Sequence, residues 1–132
     1  MLNPVNAPYR PSILLVEDQL IILENMRQEL EDESFEVLTA ASAEEARALI
    51  DQPGCKIDAV FLDIDLGPGE NGFGVARHAR TVIPDLPVIY TSGGIRGGLL
   101  SERVPDSLFV AKPYYPSQVG ALLKDMLSTL PH

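Results

Sequence analysis

Five short apolar runs punctuate the chain, and between them apolar positions recur at helical spacing. Ile13-Leu14-Leu15-Val16, Ala59-Val60-Phe61-Leu62, Pro87-Val88-Ile89-Tyr90 and Leu108-Phe109-Val110-Ala111 show no polar alternation, as expected of strands buried on both faces. Phe35-Glu36-Val37-Leu38-Thr39-Ala40 alternates in part, which suits a strand nearer a sheet edge. Leu20, Leu23, Met26 and Leu30 predict an amphipathic helix up to about Glu33. Ser42-Ala43-Glu44-Glu45 reads as a capping box, with Ser42 accepting from the third-residue amide and Glu45 bonding back; its helix runs to about Asp51, before Pro53-Gly54. A third helix is expected from Phe73 towards Ile83, ended by Pro84, and a last one from the spacing of Val119, Leu122, Leu123, Met126, Leu127 and Leu130. Between Ile95 and Pro105 stand Gly97 and Gly98, each costing about 1 kcal/mol in a helix interior, so a fourth helix there should be short and mobile. Strands alternating with helices over short loops imply right-handed crossovers and a parallel sheet with helices on both faces.

A chain of 132 residues makes one domain. Residues 1–11, with three prolines, read as a flexible arm, and residues 12–130 as the folded unit. The arm lacks a basic region and an apolar run long enough for a signal peptide, and no stretch approaches a membrane span of about 18 apolar residues. With 45% hydrophobic and 22% charged residues the composition is that of a globular protein, and a cytoplasmic location is the expectation. The formal net charge of -9 and the absence of any Lys or Arg run argue against direct nucleic-acid binding. Cys55 is the single cysteine and can form no internal disulfide.

The ends of the apolar runs carry the chemistry. In open parallel sheets, ligands gather at the carboxyl ends of the strands. The first, third, fourth and fifth strands end in Glu17-Asp18, Asp63, Ser92 and Lys112: an acid pair, an acid, a hydroxyl and an amine. Carboxylates about 4 to 5 Å apart repel by roughly 3 to 4 kcal/mol per pair at an effective dielectric of 20, and a hard cation relieves this. Magnesium suits such an all-oxygen site with a phosphate oxygen and waters. The same arrangement favours phosphoryl transfer, with Asp63 as nucleophile, Asp18 as direct metal ligand, Glu17 as a ligand through water and Asp65 offering its backbone carbonyl. Lys112 pairs with Asp63 and then with a phosphoryl oxygen, and Ser92 donates to another.

This set, together with the small Gly93 behind Ser92 and with Lys112-Pro113, resembles the bacterial response-regulator receiver domain over nearly the whole chain, from about Ser12 to Leu130. Tyr90-Thr91-Ser92-Gly93-Gly94 and Lys112-Pro113-Tyr114 are loosely similar to a receiver subfamily with a Phe-Ala-Thr-Gly-Tyr motif, often stand-alone. The resemblance implies a flavodoxin-like three-layer sandwich with strand order 2-1-3-4-5. It also implies Mg2+-dependent phosphorylation of Asp63 by a histidine kinase or phosphotransfer protein, and slow hydrolysis. It assigns a switch to Ser92 and Phe109 that alters the face of the fourth helix, fifth strand and fifth helix, where a downstream protein or a second copy could bind. Gly93 and Gly94 would set access to the phosphoryl group, and Asp65 and Gly94 would modulate the attacking water. Glu17 stands where aspartate is commoner, and Ser92 lacks the methyl of the frequent threonine.

Other residues rate lower: His78, near Arg77 and Arg80, reads as a solvated surface residue, and Tyr114 and Tyr115 as packing or partner contacts. Three other functional readings compete. Val60-Phe61-Leu62-Asp63-Ile64-Asp65 fits the Asp-x-Asp signature of haloacid-dehalogenase-type phosphatases, although that motif belongs on a first strand. A degenerate receiver working without phosphorylation is disfavoured by the full set of site groups. Met1 and the Pro131-His132 end fit a complete stand-alone protein, with a receiver fragment of a larger regulator or hybrid kinase as the alternative. In any receiver reading the chain is no enzyme beyond its own phosphorylation and dephosphorylation.

Overall fold

The structure, a computed structural model, describes residues 9–94 and 99–128. Five parallel strands, β1 (Ser12–Val16), β2 (Glu36–Ala40), β3 (Ala59–Asp63), β4 (Val88–Ser92) and β5 (Leu108–Ala111), form one sheet in the order β2-β1-β3-β4-β5. Four helices alternate with them: α1 (Leu20–Asp32), α2 (Ala43–Ile50), α3 (Gly72–Val82) and α4 (Pro116–Ser128). The expected flavodoxin-like, doubly covered parallel sheet is therefore what the chain forms. β2 is an edge strand with only Ala40 fully buried, which accounts for its partial alternation.

Strand side chains alternate between faces, and the core divides accordingly. Ile13, Leu15, Ala59, Phe61, Ile89 and Val110 pack with Leu23, Met26 and Leu30 of α1 and Val119 and Leu123 of α4. On the other face Leu14, Val16, Val60, Leu62, Val88 and Tyr90 pack with Ala46 and Ile50 of α2 and Phe73, Val75 and Ala79 of α3. Lys124 of α4 pairs with Glu33 at the end of α1, at 2.9 Å.

The local signals hold with small shifts. Ser42 Oγ accepts from the Glu45 amide at 3.1 Å, but the Glu45 carboxylate reaches back one residue further than the capping box predicts, to the amide of Ala41 at 3.2 Å. Asn71, expected in a loop, caps α3 by accepting from the Gly74 amide at 3.2 Å. Where a fourth helix was expected before β5, the described residues hold one 3-10 turn, Leu99–Glu102, and the helix after β5 is the fourth α-helix; residues 95–98 lie outside the described residues. Of the expected arm, residues 1–8 also lie outside the described residues, whereas Tyr9 donates to Asp58 at 2.5 Å and Asp58 also accepts from the Ser12 amide at 2.8 Å.

Candidate functional site

β1, β3, β4 and β5 stop at one edge of the sheet, and the side chains at their ends meet there. Glu17 and Asp63 come directly after the paired residues Val16 and Leu62 of adjacent strands, and by alternation point with Leu15 and Phe61 toward the α1 and α4 layer. They are 6% and 3% exposed, whereas Asp18 is exposed. One oxygen of each of Glu17, Asp18 and Asp63 lies within 4.8 Å of the others.

Lys112, at the end of β5, neutralises two of the three. Its ammonium donates to Asp63 Oδ2 at 2.6 Å and to Glu17 Oε1 at 3.1 Å. Burial acts to lower the lysine pKa, but the bonds to Asp63 and Glu17 outweigh it and hold the ammonium above its ordinary range. Burial pushes the Glu17 carboxyl up, and the bonds from the Gln19 amide and Lys112 oppose that shift. Three carboxylates against one ammonium leave an excess of negative charge, with Asp18 making no ion pair among the described residues. An all-oxygen, partly open, doubly negative cluster fits a hard divalent cation such as Mg2+.

Ser92 reaches the edge from the opposite face. It follows Tyr90 by two residues on β4, and Tyr90 pairs in register with Phe109 of β5. Phe109 is half-buried against the core under α2 and α3. Ser92, 2% exposed, donates from Oγ to Asp65 Oδ2 at 3.1 Å, and its Oγ accepts from the Gly94 amide at 3.3 Å. The Lys112 amide donates to the Ser92 carbonyl at 3.0 Å, but among the described residues no side-chain hydrogen bond joins Ser92 to Asp63 or Lys112. The Asp65 amide donates to Asp63 Oδ1 at 2.8 Å, tying the acid to the loop after β3. At Gly93 a β-carbon would meet nothing within 4 Å among the described residues.

Glu17, Asp18, Asp63 and Lys112 are thus brought into one cluster, with Ser92 and Asp65 as a bonded pair at its side and Phe109 behind. A family model described as the response regulator receiver domain matches residues 13–102. The chain belongs to the response regulator receiver family. Its relatives include the alginate biosynthesis transcriptional regulatory protein AlgB of Pseudomonas aeruginosa, 42% identical over 77 residues, which are 58% of this chain and 16% of that protein. Another is the sensor kinase CckA of Brucella abortus, 28% identical over 118 residues, 88% of this chain and 12% of that protein. The receiver therefore spans a small part of these curated relatives. Among solved structures, a response regulator receiver protein from Sinorhizobium medicae superposes with a TM-score of 0.84 at 32% identity, covering 91% of this chain and 96% of that one.

Several features of this receiver escaped sequence reasoning. Gly72, the first residue of α3, lies directly on the acid's own backbone: a β-carbon there would sit 2.4 Å from the Asp63 carbonyl oxygen and 2.9 Å from Ile64 Cα. The Asn71-Gly72 pair at a helix start was the available signal. Arg47 of α2 grips Glu70 with two bonds, of 2.6 and 2.7 Å, and so ties α2 to the β3–α3 loop. The fully buried Tyr90 accepts from the Val104 amide at 3.1 Å and packs on Phe73 with ring centres 5.1 Å apart. His78 is not the solvated residue expected: it is half-buried and paired with Asp51 at 2.6 Å, because α2 and α3 pack side by side. Tyr114 packs edge-on against Phe61 at 5.5 Å, while Tyr115 is exposed. Burial pushes the Cys55 thiol up, away from thiolate reactivity.

Among the described residues no helix is long and apolar enough to cross a membrane.

Proposed function

We propose that this receiver is phosphorylated on Asp63 by a phosphohistidine on a histidine kinase or phosphotransfer protein. The observation that carries the reading is the Lys112 ammonium bridging the buried Asp63 and Glu17 carboxylates inside the three-acid cluster. Asp63 attacks phosphorus in line; its oxygen–phosphorus bond forms as the phosphorus–nitrogen bond breaks, and that electron pair returns to the donor imidazole. Asp63 becomes an acyl phosphate. Lys112 stays with the site and moves its bond from the carboxylate to a phosphoryl oxygen, while the Ser92 hydroxyl takes another. Asp18, Asp63, the Asp65 backbone carbonyl and, through water, Glu17 would hold Mg2+, which when bound would supply positive charge against the phosphoryl oxygens.

Phe109, half-buried beside β4, follows Ser92 inward and biases a two-state equilibrium of the β5 edge, where Leu108 is already 39% exposed. That edge and α4 are the surface for a downstream protein or a second copy. Gly93 and Gly94 leave the phosphoryl group accessible. The donor protein finds apolar footing on Leu20 and Ile21, 67% and 79% exposed at the start of α1, beside a cavity of about 540 Å³ lined by Ile22, Met26, Lys112, Pro113 and Tyr114. The receiver unit assigned to residues 12–130, of which 95–98 and 129–130 lie outside the described residues, acts in the cytoplasm without other enzymatic activity, alone or as part of a larger regulator or hybrid kinase. No observation favours the phosphatase reading, since the second acid of its motif, Asp65, is bonded to Ser92.

Intact mass after incubation with acetyl phosphate tests the reading. One phosphoryl adduct is expected, dependent on Mg2+ and absent in Asp63→Ala. A folded wild type that takes no adduct from acetyl phosphate or from a phosphohistidine donor overturns it.

A further inference from the structure

Among the described residues, every bond at the Ser92 hydroxyl is to a group other than the acid cluster. The hydroxyl has one proton, and that proton goes to the Asp65 carboxylate at 3.1 Å; as long as it does, it cannot be given to a phosphoryl oxygen on Asp63. The Gly94 amide holds the oxygen from the other side at 3.3 Å. Serine has no β-methyl to restrict χ1, so these two bonds, rather than the side chain's own shape, fix where the hydroxyl stands. One of them is charge-assisted and the stronger of its kind. Asp65 is itself anchored relative to the acceptor, because its amide donates to Asp63 Oδ1 at 2.8 Å.

We propose that the Asp65 carboxylate is a catch on Ser92. It retains the hydroxyl in the unphosphorylated chain and sets the cost of delivering it to the phosphoryl group. Asp65 is on this account a positioning residue acting through Ser92. A phosphoryl group arriving on Asp63 repels the Asp65 carboxylate and offers the hydroxyl a more highly charged acceptor, and the bond changes hands. The inference rests on the phosphoacceptor reading above for its consequence, but the catch itself exists in the free protein and can be tested there.

The first measurement is the χ1 distribution of Ser92 from three-bond couplings in the free wild type and in Asp65→Ala, each verified as folded by circular dichroism. A single rotamer in the wild type and averaging in the variant are expected; the same distribution in both overturns the catch. The second is affinity for beryllofluoride with Mg2+ in a four-way cycle of wild type, Asp65→Ala, Ser92→Ala and the double variant. Loss of the carboxylate should tighten binding about tenfold when Ser92 is present, the factor typical of a hydrogen bond to a charged group, and by much less when residue 92 is alanine. Equal gains in both backgrounds mean that Asp65 acts only as a nearby charge, and the proposal fails. Absence of beryllofluoride binding in the wild type counts against the phosphoacceptor reading, and the rotamer measurement then decides the catch alone.

Discussion

Asp63 and Ser92 end adjacent strands, yet the bonds around them differ in kind. On the α1 and α4 side, a half-buried ammonium holds two nearly buried carboxylates at 2.6 and 3.1 Å. On the α2 and α3 side, a neutral hydroxyl is held at 3.1 and 3.3 Å, in a loop that continues into two glycines. Charge-assisted bonds among buried groups are costly to break, because each partner left alone is an uncompensated charge. The Ser92 hydroxyl carries no charge of its own, so trading the Asp65 carboxylate for a phosphoryl oxygen costs at most about one hydrogen bond to a charged group. Strand alternation thus places a fixed electrostatic half of the site beside an adjustable half, with Asp65 linking the two.

The sharpest way to break that comparison is to remove Lys112. Lys112→Met should slow labelling by acetyl phosphate on the order of 100-fold, the usual loss when a preorganised charge partner is removed, whereas Ser92→Ala should cost only about tenfold. Pseudo-first-order labelling rates followed by intact mass compare the two, and equal losses would erase the distinction between the halves. The same lysine gives a stability signature. Its folded pKa is raised, so its contribution is fully present below the unfolded value of about 10.4 and is lost as pH rises through the folded one. Urea midpoints should therefore fall more steeply in wild type than in Lys112→Met as pH rises from the unfolded towards the folded value.

Smaller effects are expected on the adjustable side. Tyr90→Phe removes the acceptor for the Val104 amide and should destabilise by about 1 to 3 kcal/mol, the cost of a buried unsatisfied donor, measured by urea denaturation. An unchanged midpoint would show that this bond does not tether the β4–β5 segment. Smallest is Tyr114→Phe, on the α1 and α4 side, where Tyr114 packs against Phe61. The Tyr114 hydroxyl is buried without a hydrogen-bond partner among the described residues, so its removal should be neutral or stabilising by up to about 1 kcal/mol. Burial and the Glu17 charge push its pKa up to about 12. Folded Tyr114 therefore keeps its proton above the unfolded value of about 10, stability falls as pH rises through that window, and Tyr114→Phe should flatten that fall.

The fold was legible because four of five strands are continuous apolar runs and the helices carry plain periodicity, both local signals. The acid cluster was legible for a related reason: strands in parallel all deliver their last residues to one edge. The features that escaped depend on contacts between elements distant in sequence. The Asp51–His78 pair spans α2 and α3, and the Tyr90–Val104 bond joins a strand to an irregular segment. The partner of Ser92 could not be read because an acid two residues after the acceptor can turn in several directions, and only packing selects one.

Gly72 and Gly93 make opposite demands on inheritance. At 93 no described residue lies where a side chain would begin; at 72 that first carbon would collide with main-chain atoms that have nowhere to retreat. Every amino acid reachable from a glycine codon brings such a carbon. A lineage that depends on Asp63 can therefore fit a first side-chain carbon at position 93, where only access to the acid is at stake, while position 72 stays closed to substitution. Loss of that glycine would mark descendants in which the neighbouring acid has already been abandoned.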